Sequence, residues 1–376
     1  MNFFMLEYIQ GVIMMKILAA FDSFKESMTA YAAGEAVQRA YNNVHICPLA
    51  DGGEGTMEVM NHYLHGDIHE IEVAGPLFKT VHAKLAIVDD LAIIESAQAC
   101  GLDYLTEEEK NGTEATSYGV GEMMKYAYDH GVKRFLLTLG GSACNDGGVG
   151  LLSGMGYGFF DQFDQRIPMN ARGLETLDHI KKTRLDLSNI EVEGACDVTN
   201  PLCGKEGATY VFGPQKKVKD LEKTDQAMKH YAKIMSELVE KDDSCTPGAG
   251  AAGGMGYAIV TGLNGKLVTG FDAVSRTVHL EEAIQEADII FTGEGKMDHQ
   301  TLYGKTPIGV LRLAQKYNKP VVAFCGKCED KEVLLKAGFE DMRCINHTDE
   351  PLSVLLEKGP QYLEEEVRRY LEEKNV

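Results

Sequence analysis

Five short runs carry the residue types that phosphoryl chemistry uses. They are Asp22-Ser23-Phe24-Lys25, Asp51-Gly52-Gly53-Glu54-Gly55-Thr56, Gly140-Gly141-Ser142-Ala143-Cys144-Asn145-Asp146-Gly147-Gly148, Cys196-Asp197-Val198-Thr199-Asn200-Pro201 and Gly293-Glu294-Gly295-Lys296-Met297-Asp298. Each follows an apolar run that reads as a strand. Glycine-rich turns at helix starts present backbone N–H groups to phosphate oxygens. Carboxylates in the same turns can hold Mg2+, which prefers oxygen ligands and nucleotide phosphates. Lysines neutralise the transferring charge, and one carboxylate can accept the proton of an acceptor hydroxyl. A turn glycine beside an Asp ordinarily marks a helix cap. Five such loops, with runs as glycine-dense as GGEG and GGSACNDGG, exceed what caps require.

Three other patterns carry less. Gly304-Lys305-Thr306 spells the back half of a P-loop, but position 299, where the first glycine belongs, is His299, and no strand ends just upstream. Pro307 predicts a helix start there, so the segment could still face an anion. The plain alternative is Thr306 as the cap and Lys305 in solvent. Gly248-Ala249-Gly250-Ala251-Ala252-Gly253 fits a dinucleotide fingerprint, yet Asp242–Pro247 ahead of it is no strand. A tight helix start packed on another backbone, or an anion site, is the better reading. Cys325-Gly326-Lys327-Cys328 could be a redox pair if it opens a helix after a strand. The other cysteines, nine in total, supply neither a zinc set nor an even disulfide framework, which points to reduced intracellular thiols and a cytoplasmic location.

The elements that must position these loops alternate. Lys16–Phe21 and Val44–Leu49 read as strands flanking a helix over Thr29–Tyr41, a β-α-β unit, and a further helix follows from Thr56. Val81–Val88 and Leu91–Glu95 read as a hairpin around Asp89-Asp90. Thr113–His130 and Val218–Lys241 read as helices, Phe135–Leu139 and Ile190–Ala195 as strands. Asp288–Thr292 and Pro320–Cys325 read as strands near the C-terminus, each followed by a loop and a helix, before a last short strand at Cys344-Ile345 and a helix over Tyr362–Lys374. Such alternation predicts parallel sheets flanked by helices. In open α/β sheets ligands bind outside the carboxyl ends of the strands.

With 376 residues, two domains are expected. A formal net charge of −20 argues against general nucleic-acid binding and otherwise reads as solubility. Clustered glycine, 40 residues in all, fits loops that turn sharply or lie close to a ligand. Met1–Met15 is apolar but holds Glu7, lacks a basic start and is too short and broken for a membrane span; it reads as an extension or a surface-packed arm. No membrane association is expected, and monomer and homodimer both stay open.

The five runs, with Pro48-Leu49-Ala50 before the second, Leu202 after the fourth, and Phe212-Gly213-Pro214-Gln215-Lys216, Pro247–Gly254 and the stretch through Pro307, resemble type-one bacterial glycerate kinases. They keep that family's order from Met15 onward, and together they are highly specific. The family pattern carries Thr where this chain has Cys144 and usually Gly where it has His299. The resemblance implies ATP- and Mg2+-dependent phosphorylation of (R)-glycerate to 2-phosphoglycerate, with 3-phosphoglycerate or another small hydroxy acid as alternatives. It also implies an α/β fold of two domains with the active site in the cleft between them. A Rossmann- or flavodoxin-like parallel-sheet domain is expected from residues 15–74 and 276–376, with an α/β domain inserted at 75–275 and residues 1–14 outside the match.

On that footing Asp51 or Asp197 is the general base and the other helps hold Mg2+ with Glu294 or Asp298; motif position does not separate the roles. Lys296 and Lys25 are candidates for the γ-phosphate or the substrate carboxylate. Ser23, Ser142, Asn145 and Asn200 are candidate substrate contacts. Gly52, Gly53, Gly140, Gly141, Gly293, Gly295 and Lys305 are candidate nucleotide contacts. A nucleotide-binding regulator without turnover is the competing class, and an oxidoreductase lacks a correctly placed fingerprint.

Overall fold

The computed structural model describes residues 14–53, 55–303, 305–347 and 350–375; most of the N-terminal extension, Glu54 and Gly304 lie outside them. The chain forms two compact units, one ending at Pro48 and resuming at His279, the other running Leu49–Val278.

The first unit is built on a five-stranded sheet, parallel throughout. Its strands are Ile17–Phe21, Val44–Ile46, Ile289–Met297, Val321–Cys328 and Asp341–Cys344. Numbered along the chain within this unit, their spatial order is 2-1-3-4-5, the flavodoxin-like doubly wound order. The order reverses between Ile17–Phe21 and Ile289–Met297, which marks the switch point where such sheets bind ligands. The reasons are local. Ile17–Phe21 is buried at every residue, as a strand covered on both faces must be. Thr29 caps the helix Ala30–Ala40 by accepting from the Ala32 N–H, and Pro307 stands in the first turn of Thr306–Gln315. Phe291, Phe324 and Tyr370 meet edge to face beneath the sheet, tying the C-terminal helix Gly359–Glu373 to it.

The second unit carries a six-stranded sheet in the order Lys266–Val268, Glu191–Ala195, Arg134–Thr138, Leu91–Glu95, Thr80–Val88, Asp67–Ala74. The first four run parallel and the last two antiparallel. The hairpin turns at Asp89, whose φ of 52° is left-handed. Its core gathers Phe135, Phe159, Tyr231 and Tyr257 with the methionines of the helix Tyr118–Asp129. Among the described residues no helix is long and apolar enough to cross a membrane.

The structure corrects three expectations. The units divide at 48/49 and 278/279, not at 74/75 and 275/276. Asp67–Ala74 pairs along its whole length with Thr80–Val88, Met57 at the start of the helix Thr56–Leu64 donates its N–H to Glu95, and the helix Gly270–Thr277 runs past residue 275. Second, Gly293–Met297 is not a loop: Ile289–Met297 is one nine-residue strand, paired with Val321–Cys328 out to Met297↔Cys328. Gly293 is required there, because a Cβ on it would lie 1.7 Å from the Phe324 carbonyl oxygen. The same pairing places Cys325-Gly326-Lys327-Cys328 in a strand, so it opens no helix. Third, the helix expected from Thr113 begins at Tyr118, because Asp146 accepts from the Ser117 N–H and Oγ and Thr116 donates its N–H to the Pro76 carbonyl.

Replacing Gly293 with Ala forces a backbone oxygen or the strand to move, and overpacking of this kind costs about 1–3 kcal/mol. Chemical denaturation should show that loss, and an unchanged midpoint would contradict the close approach.

Candidate functional site

In the Leu49–Val278 unit the four parallel strands bring their carboxyl ends to one edge. Chain continues from them into Ser96, Gly140-Gly141-Ser142, Cys196-Asp197 and Thr269-Gly270, and neighbouring ends stay in register through Ser96 N–H to the Thr138 carbonyl, Leu139 N–H to Ala195 and Cys196 N–H to Val268. Asp51-Gly52-Gly53 lies across this edge. Gly52 takes a φ of 85°, and a Cβ there would stand 2.5 Å from the Gly270 Cα. A Cβ on Gly270 would stand 1.8 Å from the Asp51 carbonyl oxygen. Two backbones therefore cross with no room for a side chain on either. At the crossing the Gly270 N–H donates to Asp197 Oδ1 at 3.0 Å, and the Gly53 N–H donates to Asp51 Oδ1 at 2.9 Å. Each carboxylate is thus fixed through one oxygen, and among the described residues neither second oxygen accepts a hydrogen bond. Although Asp197 reaches solvent, the protein packed around its carboxyl raises its pKa; the Gly270 N–H opposes this, and the charges of Asp51 and Asp272 add to it.

The glycine loop stands beside this pair, with Gly140 in van der Waals reach of Gly53. Its polar side chains are mostly committed. Asp146 accepts from Ser117 twice and from the Gly148 and Gly150 N–H groups, so it is a structural cap; burial raises its pKa against those bonds. Ser142 Oγ accepts from Lys216 Nζ at 3.0 Å. Asn145 is fully buried and donates to Thr209 Oγ1 at 2.9 Å, while its Oδ1 accepts no hydrogen bond among the described residues. Asn200 donates to the Glu206 carbonyl. The run at Gly248–Gly253 serves this loop: a Cβ on Gly253 would sit 2.1 Å from the Cys144 oxygen, and one on Gly254 would sit 2.5 Å from the Gly147 Cα. It is the backbone-on-backbone packing expected, not a dinucleotide turn.

The other unit holds a second set at its switch point. Asp22 accepts from the Ser23 N–H and, at 2.6 Å, from Thr306 Oγ1 at the start of Thr306–Gln315. Gly295 passes beside the Phe24-Lys25 backbone. Glu294 accepts from Thr301 Oγ1 and from Lys305 Nζ, both at 3.0 Å; burial raises its pKa and Lys305 works against that. Lys305, not Thr306, is the cap residue. Lys296 is paired with Glu329 and Asp298, which hold its ammonium above its usual pKa. Lys25 is exposed and, among the described residues, makes no ion pair.

Among the described residues no three His, Cys, Asp or Glu side chains are grouped to hold a metal ion. Of the four carboxylates expected at a metal, Asp51 and Asp197 form one pair and Glu294 and Asp298 another. The second pair does not fit a cation as it stands, because Lys305 and Lys296 already neutralise it. Asp51 fits: it keeps one oxygen without a hydrogen bond and lies beside a like charge that a cation would relieve.

The glycerate kinase family profile matches residues 17–373 of this chain. The chain belongs to the glycerate kinase family. A glycerate kinase of Haemophilus influenzae is 40% identical over 362 residues, covering 93% of this chain and 96% of the relative. The glycerate 2-kinase of Escherichia coli is 38% identical over 328 residues, covering 84% and 86%. A crystal structure described as a glycerate kinase 2 from Salmonella typhimurium LT2 superposes with a TM-score of 0.88 at 37% identity, covering 96% of this chain and 98% of that one.

Two residues of this candidate site are not legible in the sequence. Gly270 opens a helix after a strand too short to stand out, and its role appears only once Asp51 crosses it. Lys216 sits in a run quoted for the resemblance, but its burial could not be read there. The C-x-x-C pair separates chemically: Cys325 is buried and its thiol is pushed well up by Cys328 and by burial, while Cys328 is pushed down to about 7 by the hydrogen bond from Cys325. Iodoacetamide at pH 7.5 should therefore alkylate Cys328 well before Cys325, because the thiolate is the nucleophile; peptide mapping that found Cys325 labelled first would contradict the assignment.

Proposed function

We propose that this member of the glycerate kinase family transfers the terminal phosphoryl group of ATP to the 2-hydroxyl of (R)-glycerate, releasing ADP and 2-phosphoglycerate. The phosphotransferase class follows from the family. The acceptor atom is supported by the Escherichia coli relative, whose name is glycerate 2-kinase. The observation that carries the chemistry is Asp197. Its Oδ1 is held by the Gly270 N–H, its Oδ2 accepts nothing among the described residues, and its surroundings make it more basic than an ordinary carboxylate.

In this reading Asp197 accepts the proton of the glycerate hydroxyl as that oxygen bonds to the γ-phosphorus and the bond to the β–γ bridging oxygen breaks. A base for this step must reach the proton first and have a suitable pKa second; the Oδ2 left without a hydrogen bond among the described residues and the raised pKa of Asp197 support that role. Asp51 is the residue that would hold Mg2+, which usually keeps one or two carboxylates and completes its shell with water and phosphate oxygens. When bound, that ion neutralises charge on the donor phosphates. Gly53, Gly140 and Gly141 would let backbone approach the phosphates closely; Gly52 and Gly293 are taken up by backbone packing and Lys305 by Glu294. Lys25, which makes no ion pair among the described residues, suits a substrate or phosphate charge better than Lys296, which two carboxylates already pair. Asn145 and Ser23 remain the candidate substrate contacts, since Ser142 and Asn200 are engaged within the protein.

A coupled assay of ADP release over a panel of small hydroxy acids, with phosphorus NMR of the product, tests this. Glycerate should be the preferred acceptor and 2-phosphoglycerate the product; 3-phosphoglycerate, or preference for tartronate or a sugar acid, would redirect the assignment. Asp197→Asn should lower kcat by about 10²–10⁴-fold, the usual worth of a positioned base, while ADP affinity by calorimetry stays near wild type. A fully active Asp197→Asn enzyme would remove the base from Asp197.

A further inference from the structure

Lys216 is 3% exposed, and among the described residues no carboxylate lies within ion-pairing distance of its ammonium. Its Nζ donates to two neutral acceptors, Ser142 Oγ at 3.0 Å and the Cys144 carbonyl at 2.8 Å. Burial lowers its pKa; Cys144, Cys100 and, last, Asp146 oppose that. Burying an ammonium without a counter-charge costs several kcal/mol even after relaxation, and two neutral hydrogen bonds offset only part of it. A fold retains such a group where negative charge arrives from outside the protein.

The backbone shows where. Lys216 sits in the turn after the helix Ala208–Phe212, and its own carbonyl accepts from the Gly112 N–H, so its base is anchored. Both of its side-chain contacts fall on the Gly140–Gly148 loop. Because a peptide unit is planar and trans, its C=O and N–H point in opposite directions. Holding the Cys144 carbonyl on Lys216 therefore turns the Asn145 N–H the other way. Asn145, on the same loop, keeps a fully buried Oδ1 with no protein partner. The start of this loop meets Gly53, and Gly53 holds Asp51 beside Asp197. In a 2-hydroxy acid the carboxylate is attached to the very carbon that bears the reacting hydroxyl. With the hydroxyl facing Asp197, as in the function proposed above, the carboxylate lies within one carbon of it, and this loop, which meets Gly53, is the adjoining segment.

We infer that Lys216 is a positioning residue that sets the Gly140–Asn145 loop, and supplies its positive charge, for the carboxylate of the acceptor acid. The inference rests on the function proposed above. It assigns Lys216 to recognition of the acceptor, not to the phosphoryl donor and not to the fold alone.

Steady-state kinetics of Lys216→Met and Lys216→Arg test it. In Lys216→Met, KM for glycerate should rise about 10–100-fold, the range that loss of one charge-assisted contact produces. KM for ATP should stay near wild type and kcat should fall much less than KM rises. Lys216→Arg, which keeps the charge, should recover most of the loss. An unchanged glycerate KM in a folded Lys216→Met protein would overturn the inference, and so would parallel losses in glycerate KM, ATP KM and melting temperature that Arg fails to relieve. If Lys216→Met does not fold, Ser142→Ala, which removes one of the two contacts, should raise glycerate KM in the same selective way; no change there would equally overturn it. Failure of the wild-type enzyme to release ADP with any hydroxy acid would instead strike the function itself, which separates the two claims.

Discussion

The crossing of Asp51-Gly52 over Gly270 is the constraint from which the rest of the candidate site follows. Two backbones approach so closely that neither position tolerates a Cβ. That closeness presents the Gly270 N–H to Asp197 and sets Asp51 beside it. Two carboxylates side by side would repel one another and destabilise the pair; the fold accepts this because it anchors one oxygen of each on a backbone N–H. Under the proposed function the remaining oxygens serve a proton and a cation. Close approach and like charge held at one place by strand ends suit phosphoryl transfer by positioning.

The glycine loop illustrates how packing and chemistry divide the same residues. Its run of Gly, Ser, Asn and Asp has the composition of a ligand loop, yet Asp146 is wholly occupied in capping and Ser142 in receiving Lys216. Gly253 and Gly254 let a second backbone lie against it. What is left over among the described residues is an ammonium, that of Lys216, with no carboxylate in ion-pairing distance, and a buried Asn145 oxygen that accepts no hydrogen bond.

Much of this was legible from residue order. Buried strands such as Ile17–Phe21 and Arg134–Thr138 stand out as short apolar runs, and Thr29 and Pro307 announce their helices. Of the loops after strands, those holding Asp51, Gly140 and Asp197 converge on one sheet edge. What the sequence could not show is where pairing overrides local composition. Gly293-Glu294-Gly295 has turn residues, yet a neighbouring strand recruits it into the sheet because glycine alone lets Phe324 approach. Residues 49–74 have the β-α-β look of the first unit, yet Asp67–Ala74 finds its partner in Thr80–Val88. Lys305 and Lys296 looked like free cations for phosphate, but only coordinates reveal that Glu294, Asp298 and Glu329 already receive them. Long-range pairing of this kind leaves no trace in spacing.

The measurement that reaches the central claim most directly is the turnover of Gly270→Ala, with folding checked by thermal melting. A methyl group at that crossing must displace Asp51 or Asp197, and misplacement by about 1 Å is enough to lower kcat/KM by roughly 10²-fold. The account predicts a folded protein with at least that loss in glycerate-dependent ADP release. A folded Gly270→Ala enzyme with wild-type kcat/KM would show that the crossing does not hold the reacting carboxylates.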